Sequence, residues 1–132
     1  MKYLFVCTGN TCRSPMAAAL CNMYYNESVA DSAGIFASDG DCASDGAITA
    51  MRDYGIDLTS HRSKRITPEL IKSADFIIPM TENHRLTLMM LGVNPDKIKS
   101  IGEISDPYGG SNDVYKDCAK QLFEMVKNLE NN

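Results

Sequence analysis

The apolar run Lys2-Tyr3-Leu4-Phe5-Val6 ends directly on Cys7-Thr8-Gly9-Asn10-Thr11-Cys12-Arg13-Ser14-Pro15. The run has strand character, and it gives way to one tight turn. Ser14-Pro15 reads as a helix N-cap followed by proline at the first helical position, and Met16, Ala19, Leu20 and Met23 then recur at helical spacing. Val29 to Ile35 returns as a second strand, so the first third of the chain reads as a right-handed βαβ unit.

The alternation continues. Phe36 to Gly46 is polar and glycine-rich, a loop leading to a helix with Ala47, Ala50, Met51 and Tyr54. Thr67-Pro68 opens a short helix, Asp75 to Pro79 reads as a buried strand, and Thr81 caps a helix running to about Leu91. Lys97 to Ile101 reads as a fourth short strand. A last helix after Ser111 carries Val114, Cys118, Leu122, Met125, Val126 and Leu129 as a core stripe, and Met89-Met90-Leu91 reads as packing. The expected fold is α/β: a three-layer domain with a four-stranded, mostly parallel twisted sheet and helices on both faces. At 132 residues and 44% hydrophobic content, residues 1–132 are expected to form a single domain.

Charge and cysteine usage narrow the function. A net charge of −4 without long like-charge blocks gives no footprint for nucleic acid or an anionic membrane, so an anion site must be built locally. Five cysteines, without paired zinc spacing, secretory signal or long apolar run, point to a cytoplasmic protein with reduced thiols. Cys21 and Cys118 fall on apolar helix faces and read as core. A monomer is expected.

Cys7 and Cys12 are different. Ligands of open α/β sheets sit at the carboxyl ends of strands, where this turn lies. The successive backbone N–H groups from Thr8 to Arg13 can curl around one anion, with Gly9 granting a backbone shape that a side chain would hinder, and the helix start adds its positive end. The second glycine and the lysine of a Walker A loop are missing. In their place Cys7 and Arg13, with five residues between them, can face each other across a tetrahedral phosphate, with a guanidinium offering two parallel donors. The same surroundings favour the thiolate of Cys7, and a Ser14 hydroxyl can donate to it.

These residues carry a resemblance. Cys7 to Pro15 resembles the active-site loop of the low-molecular-weight protein tyrosine phosphatase family, and Asp106-Pro107-Tyr108 resembles its general-acid loop. Asp31-Ser32-Ala33-Gly34 and Ser60-His61-Arg62 also match family segments, so the similarity spans nearly the whole chain. It implies two-step phosphoryl transfer: Cys7 attacks phosphorus, Asp106 protonates the leaving group and then activates water, and Arg13 with the loop amides holds the equatorial oxygens. Substrate would be bound by Thr8, Gly9, Asn10, Thr11, Cys12, Ser14 and Tyr108. No metal or other cofactor is implied, and the partner is a phosphorylated protein. Asn10 would hold the loop's shape with help from His61 and Ser32, whereas His84 reads as surface.

Thr11 bears on which phosphorylated residue is cleaved. Tyrosine-specific members usually carry an aliphatic residue there, and threonine resembles the bacterial protein arginine phosphatase branch. A polar, cationic guanidinium leaving group suits a hydroxyl and a carboxylate better than an apolar wall. Phosphoarginine is therefore favoured over phosphotyrosine. Arsenate reduction is a further alternative, but its cysteine relay has no counterpart between Cys42 and Cys118. A non-catalytic phosphate-binding module would have lost its nucleophile or acid, and both are present. Cys12 is a candidate redox partner for Cys7, or else a small residue in a tight loop.

Overall fold

The computed structural model describes residues 1–27 and 29–131. Strand β1 (Tyr3–Cys7) lies between β2 (Ala30–Gly34) and β3 (Phe76–Pro79), and both neighbours run parallel to it. The helices are α1 (Arg13–Tyr25), α2 (Asp45–Arg52), α3 (Pro68–Ser73), α4 (Glu82–Met90) and α5 (Asn112–Lys127). The chain leaves β1 through α1 to reach β2 on one side, then crosses to β3 on the other. The carboxyl end of β1 is thus the point where the strand order reverses, the place where such sheets open a crevice.

Alternation along β1 builds the layers. Tyr3, Phe5 and Cys7 face one side and pack with Met16 and Leu20 of α1, Met51 of α2 and Leu122 of α5. Leu4 and Val6 face the other side, with Ile77, Leu88 and Val93 in the second layer of core. Cys21 and Cys118 are buried as expected, and burial pushes both thiols up to about 12, which keeps them protonated and inert. Among the described residues, no helix is long and apolar enough to cross a membrane.

Caps form where the sequence placed them: Thr67, Thr81 and Ser111 accept from Leu70 N, His84 N and Val114 N. Four expectations change. The expected fourth strand at Lys97–Ile101 makes only an isolated parallel bridge between Ile77 and Ile98, so among the described residues the sheet has three strands. A 3₁₀ turn over Pro95–Lys97 takes up its beginning, and left-handed Gly102 (φ 120°) turns the chain away beyond it. Helix α1 begins at Arg13 with Cys12 as N-cap and no side-chain capping bond, because the Ser14 hydroxyl is engaged elsewhere. Met89, Met90 and Leu91 are exposed, since the short α4 buries only His84 and Leu88. Val114 is also exposed; its methyl lies over Gly110, while Tyr115, Cys118, Leu122 and Val126 form the buried stripe.

Candidate active site

The loop after β1 is shaped from beneath. The carbonyls of Thr8, Asn10, Thr11 and Cys12 accept from Phe36 N, His61 Nε2, Ser44 N and Met16 N at 2.8–3.2 Å. A trans peptide that turns its carbonyl toward the protein turns the next N–H the opposite way. The amides of Gly9, Thr11, Cys12 and Arg13 are thereby directed to the cavity side, an arrangement that can bind an anion. That cavity, of about 220 Å³, is lined by residues 7 to 13 together with Asp106 and Tyr108.

Left-handed backbone falls at Asn10 (φ 58°), not at Gly9, which corrects the role expected for the glycine. A Cβ on Gly9 would meet only Thr11 Oγ1, at 3.9 Å, so what its missing side chain provides is open space at the cavity. Asn10 is fully buried and satisfied: Nδ2 donates to Ser14 Oγ at 2.8 Å and Ser32 Oγ at 2.9 Å, and Oδ1 accepts from Lys64 N at 3.0 Å. The backbone N–H of Lys64 fixes which end of the amide is oxygen. Ser32 and His61 therefore meet Asn10 as expected. His61 is held below its usual range mainly by burial, against the opposing pull of the Asn10 carbonyl, which favours donation from a neutral ring.

Ser14 links this network to Cys7. Asn10 Nδ2 can only donate, so Ser14 Oγ accepts from it and retains a proton; Cys7 Sγ lies 2.8 Å away, nearer than the Ala33 carbonyl at 3.4 Å. The geometry suits a donor aimed at a thiolate. Arg13 is buried, with Nη1 donating to the Ile104 carbonyl at 2.9 Å and Nη2 lying 3.7 Å from Asp106 Oδ2. Asp106 is half-exposed at the cavity wall, and its Oδ1 accepts from Tyr108 N at 3.1 Å. A buried cation, a buried cysteine sulfur and a solvent-reachable carboxyl thus share one small cavity. Tyr108 stands at its rim, 75% exposed.

Thr11 also lines the cavity; its hydroxyl has Cys12 Sγ at 3.8 Å, long for a hydrogen bond between them. Cys12 is buried, with Sγ 3.2 Å from Ser44 Oγ and 3.5 Å from Tyr115 Oη. Burial first, and the Cys12 contact next, push the Tyr115 hydroxyl up to about 12. Among the described residues, no three His, Cys, Asp or Glu side chains gather to hold a metal ion.

The sequence reading missed Ser44, Tyr115, the Ile104 carbonyl and His84. His84 is buried, not on the surface, and reaches Thr8 at 2.8 Å. A signal was present: Thr81 caps a helix directly after β3, at the same end of the sheet as the loop, and His84 lies three residues on from that cap.

Known proteins match this chain over nearly its whole length. The description of the family "Low molecular weight phosphotyrosine protein phosphatase" matches residues 2–132. The protein-arginine-phosphatase of Bacillus subtilis (strain 168) is 37% identical over 142 aligned residues, covering 98% of this chain and 94% of that protein. A low molecular weight protein tyrosine phosphatase from T. tengcongensis superposes with a TM-score of 0.93 at 38% identity, over 99% of this chain and 98% of that one. The YwlE arginine phosphatase, solved as a C7S mutant with a phosphorylated active-site serine, gives a TM-score of 0.91 at 37% identity, over 99% and 94% of the two chains.

Proposed function

Because the chain belongs to the low molecular weight phosphotyrosine protein phosphatase family, and is a protein phosphatase of the hydrolase class, we propose that it cleaves phosphoarginine in proteins through a phosphocysteine on Cys7. The observation that carries the mechanism is the convergence of Cys7, Arg13 and Asp106 on one cavity. In the first step Cys7 Sγ bonds to phosphorus in line as the bond from phosphorus to the substrate nitrogen breaks, and Asp106 gives its proton to that nitrogen. In the second, Asp106 takes a proton from water whose oxygen bonds to phosphorus, and the S–P bond breaks to release inorganic phosphate and the thiolate. Arg13 and the loop amides hold the charge on the equatorial oxygens throughout. A phosphorylated serine at the active site of the YwlE mutant supports a phosphoenzyme by likeness. Five free thiols suit a reducing, cytoplasmic compartment.

Thr11 carries the preference for arginine. It adds a hydroxyl to a wall shared with the Asp106 carboxylate, and both suit a cationic guanidinium. Phosphotyrosine is the second reading, favoured by the name of the T. tengcongensis relative and by Tyr108, whose exposed ring can stack on a phenyl. Turnover of phosphoarginine and phosphotyrosine peptides by wild type, Cys7→Ser and Thr11→Ile decides between them. Cys7→Ser is expected to lose about a thousandfold or more. Thr11→Ile is expected to cut the arginine-to-tyrosine ratio of kcat/KM about tenfold, roughly 1.4 kcal/mol. No turnover of either peptide by wild type removes the phosphatase mechanism, and an unchanged ratio in Thr11→Ile removes the argument for arginine.

Within the same reading Cys12 guards Cys7. Peroxide converts the Cys7 thiol to sulfenic acid with loss of water, and attack by the Cys12 thiol expels a second water as the S–S bond forms. Peroxide-treated protein is expected to yield a Cys7–Cys12 peptide pair by mass spectrometry; overoxidised Cys7 without that pair rejects the role.

A further inference from the structure

Two buried titratable groups outside the trio of Cys7, Arg13 and Asp106 reach the loop from other elements, Tyr115 at Cys12 and His84 at Thr8. His84, in the first turn of α4, is 7% exposed and lies between two hydroxyls: Nε2 is 2.8 Å from Thr8 Oγ1, and Nδ1 is 2.9 Å from Thr81 Oγ1. Thr81 Oγ1 also accepts from His84 N at 3.2 Å, closing the cap of α4. With that lone pair taken, the Thr81 hydroxyl proton is free for Nδ1. On that assignment the ring carries its proton on Nε2 and donates to Thr8 Oγ1. Thr8, holding an acceptor bond from the ring, keeps its own proton for the cavity it lines beside Cys7 and Arg13.

We propose that His84 is a positioning residue of the phosphate cradle, tying the cap of α4 to Thr8 and aiming the Thr8 hydroxyl at the bound phosphoryl group. This rests on the phosphatase reading of the loop and adds a donor from a side chain to those of the backbone. It also gives β3 and α4 a part in the site: the loop after β1 is braced from the neighbouring strand's end. The groups that act on the ring are Arg13 of α1 and, from the segment before α5, Glu103 and Asp106. Burial and Arg13 draw its pKa down to about 4 against the opposing pull of the two carboxylates, which keeps one ring nitrogen an acceptor at neutral pH. Glu103 is itself held at this corner, since its Oε1 accepts from Glu82 N at 2.6 Å.

The test combines a double-mutant cycle with a measurement on the unaltered protein. Inhibition by inorganic phosphate and turnover of a phosphorylated peptide are compared in wild type, His84→Ala, His84→Gln, Thr8→Val and Thr8→Val with His84→Ala. His84→Ala is expected to weaken phosphate inhibition and lower kcat/KM by about five- to tenfold, the loss of one oriented hydrogen bond. In the Thr8→Val background the same change is expected to add less than about twofold, because its target is gone. His84→Gln, whose amide can donate to Thr8, is expected to recover most of the loss. Additive penalties in the two backgrounds, unaltered kinetics in His84→Ala, or a folded His84→Gln as impaired as His84→Ala each overturn the proposal. Nitrogen NMR of wild-type His84 at neutral pH is expected to report a neutral ring protonated on Nε2, and protonation on Nδ1 rejects the role whether or not a variant folds. Should wild type turn over no phosphopeptide, the phosphatase reading fails, while phosphate inhibition of a reporter reaction is replaced by direct phosphate titration and still reads the His84–Thr8 coupling.

Discussion

Asn10 holds a left-handed conformation at φ 58° while its amide bonds Ser14, Ser32 and the Lys64 N–H. A short polar side chain tolerates that backbone, and its bonds over-determine a shape that costs energy alone. The direction of the bond to Ser14 matters more than its strength. By donating, Asn10 leaves Ser14 its own proton, and Cys7 Sγ at 2.8 Å is a nearer acceptor for it than the Ala33 carbonyl at 3.4 Å. Asn10→Asp replaces a donor with an acceptor of nearly the same shape and leaves the Lys64 bond in place. The Ser14 proton is then drawn to the new carboxylate and away from the sulfur. Losing a hydrogen bond to a charged group is worth about 1.5–3 kcal/mol, so kcat is expected to fall roughly ten- to hundredfold. Thermal melting checks that the fold persists, and a kcat within twofold of wild type contradicts this direction for the bond.

At the scale of elements, the loop is clamped between the ends of β1 and β2. Gly34 closes β2, and a Cβ there would lie 2.5 Å from the Thr8 carbonyl oxygen, 2.9 Å from Asn10 N and 2.8 Å from Ala37 Cβ. Two of these are loop backbone atoms, which move only if the cradle moves. Gly34→Ala is expected to cost about 1–3 kcal/mol in urea unfolding and, unlike a remote packing defect, to weaken inhibition by phosphate as well. Equal phosphate inhibition with lowered stability would show that the cradle yields without changing shape. The order of elements and three of the caps were legible because capping and periodicity are local. The fourth strand was not, because one bridge to Ile77 depends on where a 3₁₀ turn delivers the chain. Nor was the exposure of Met89 to Leu91, since an apolar run does not record how few residues of α4 face the sheet.

Across the whole molecule, the site draws on both ends of the chain. Cys7 to Ser14 could be read as one motif because its residues are contiguous and chemically demanding, and Asp106 because the resemblance pointed to it. Ser44 and Tyr115 could not, because only folding brings them to the loop from the start of α2 and from α5, and His84 showed only in its place three residues after the Thr81 cap. That assembly has a consequence for acid stability. In the folded state His84 has a pKa of about 4, against an ordinary value of 6.5, and His61 is also lowered. Between those values the unfolded chain binds a proton that the folded chain refuses, so stability rises with pH through this window. The contribution is present in full above pH 6.5 and is lost as the pH falls toward 4. The urea midpoint is therefore expected to decline from pH 7 to pH 4.5, before most carboxylates titrate. His84→Gln is expected to start lower at pH 7, having lost a ring bond, yet to decline less steeply, so that the two curves converge in acid. Parallel curves would mean that the buried imidazole takes up its proton as readily in the folded chain as in the unfolded one.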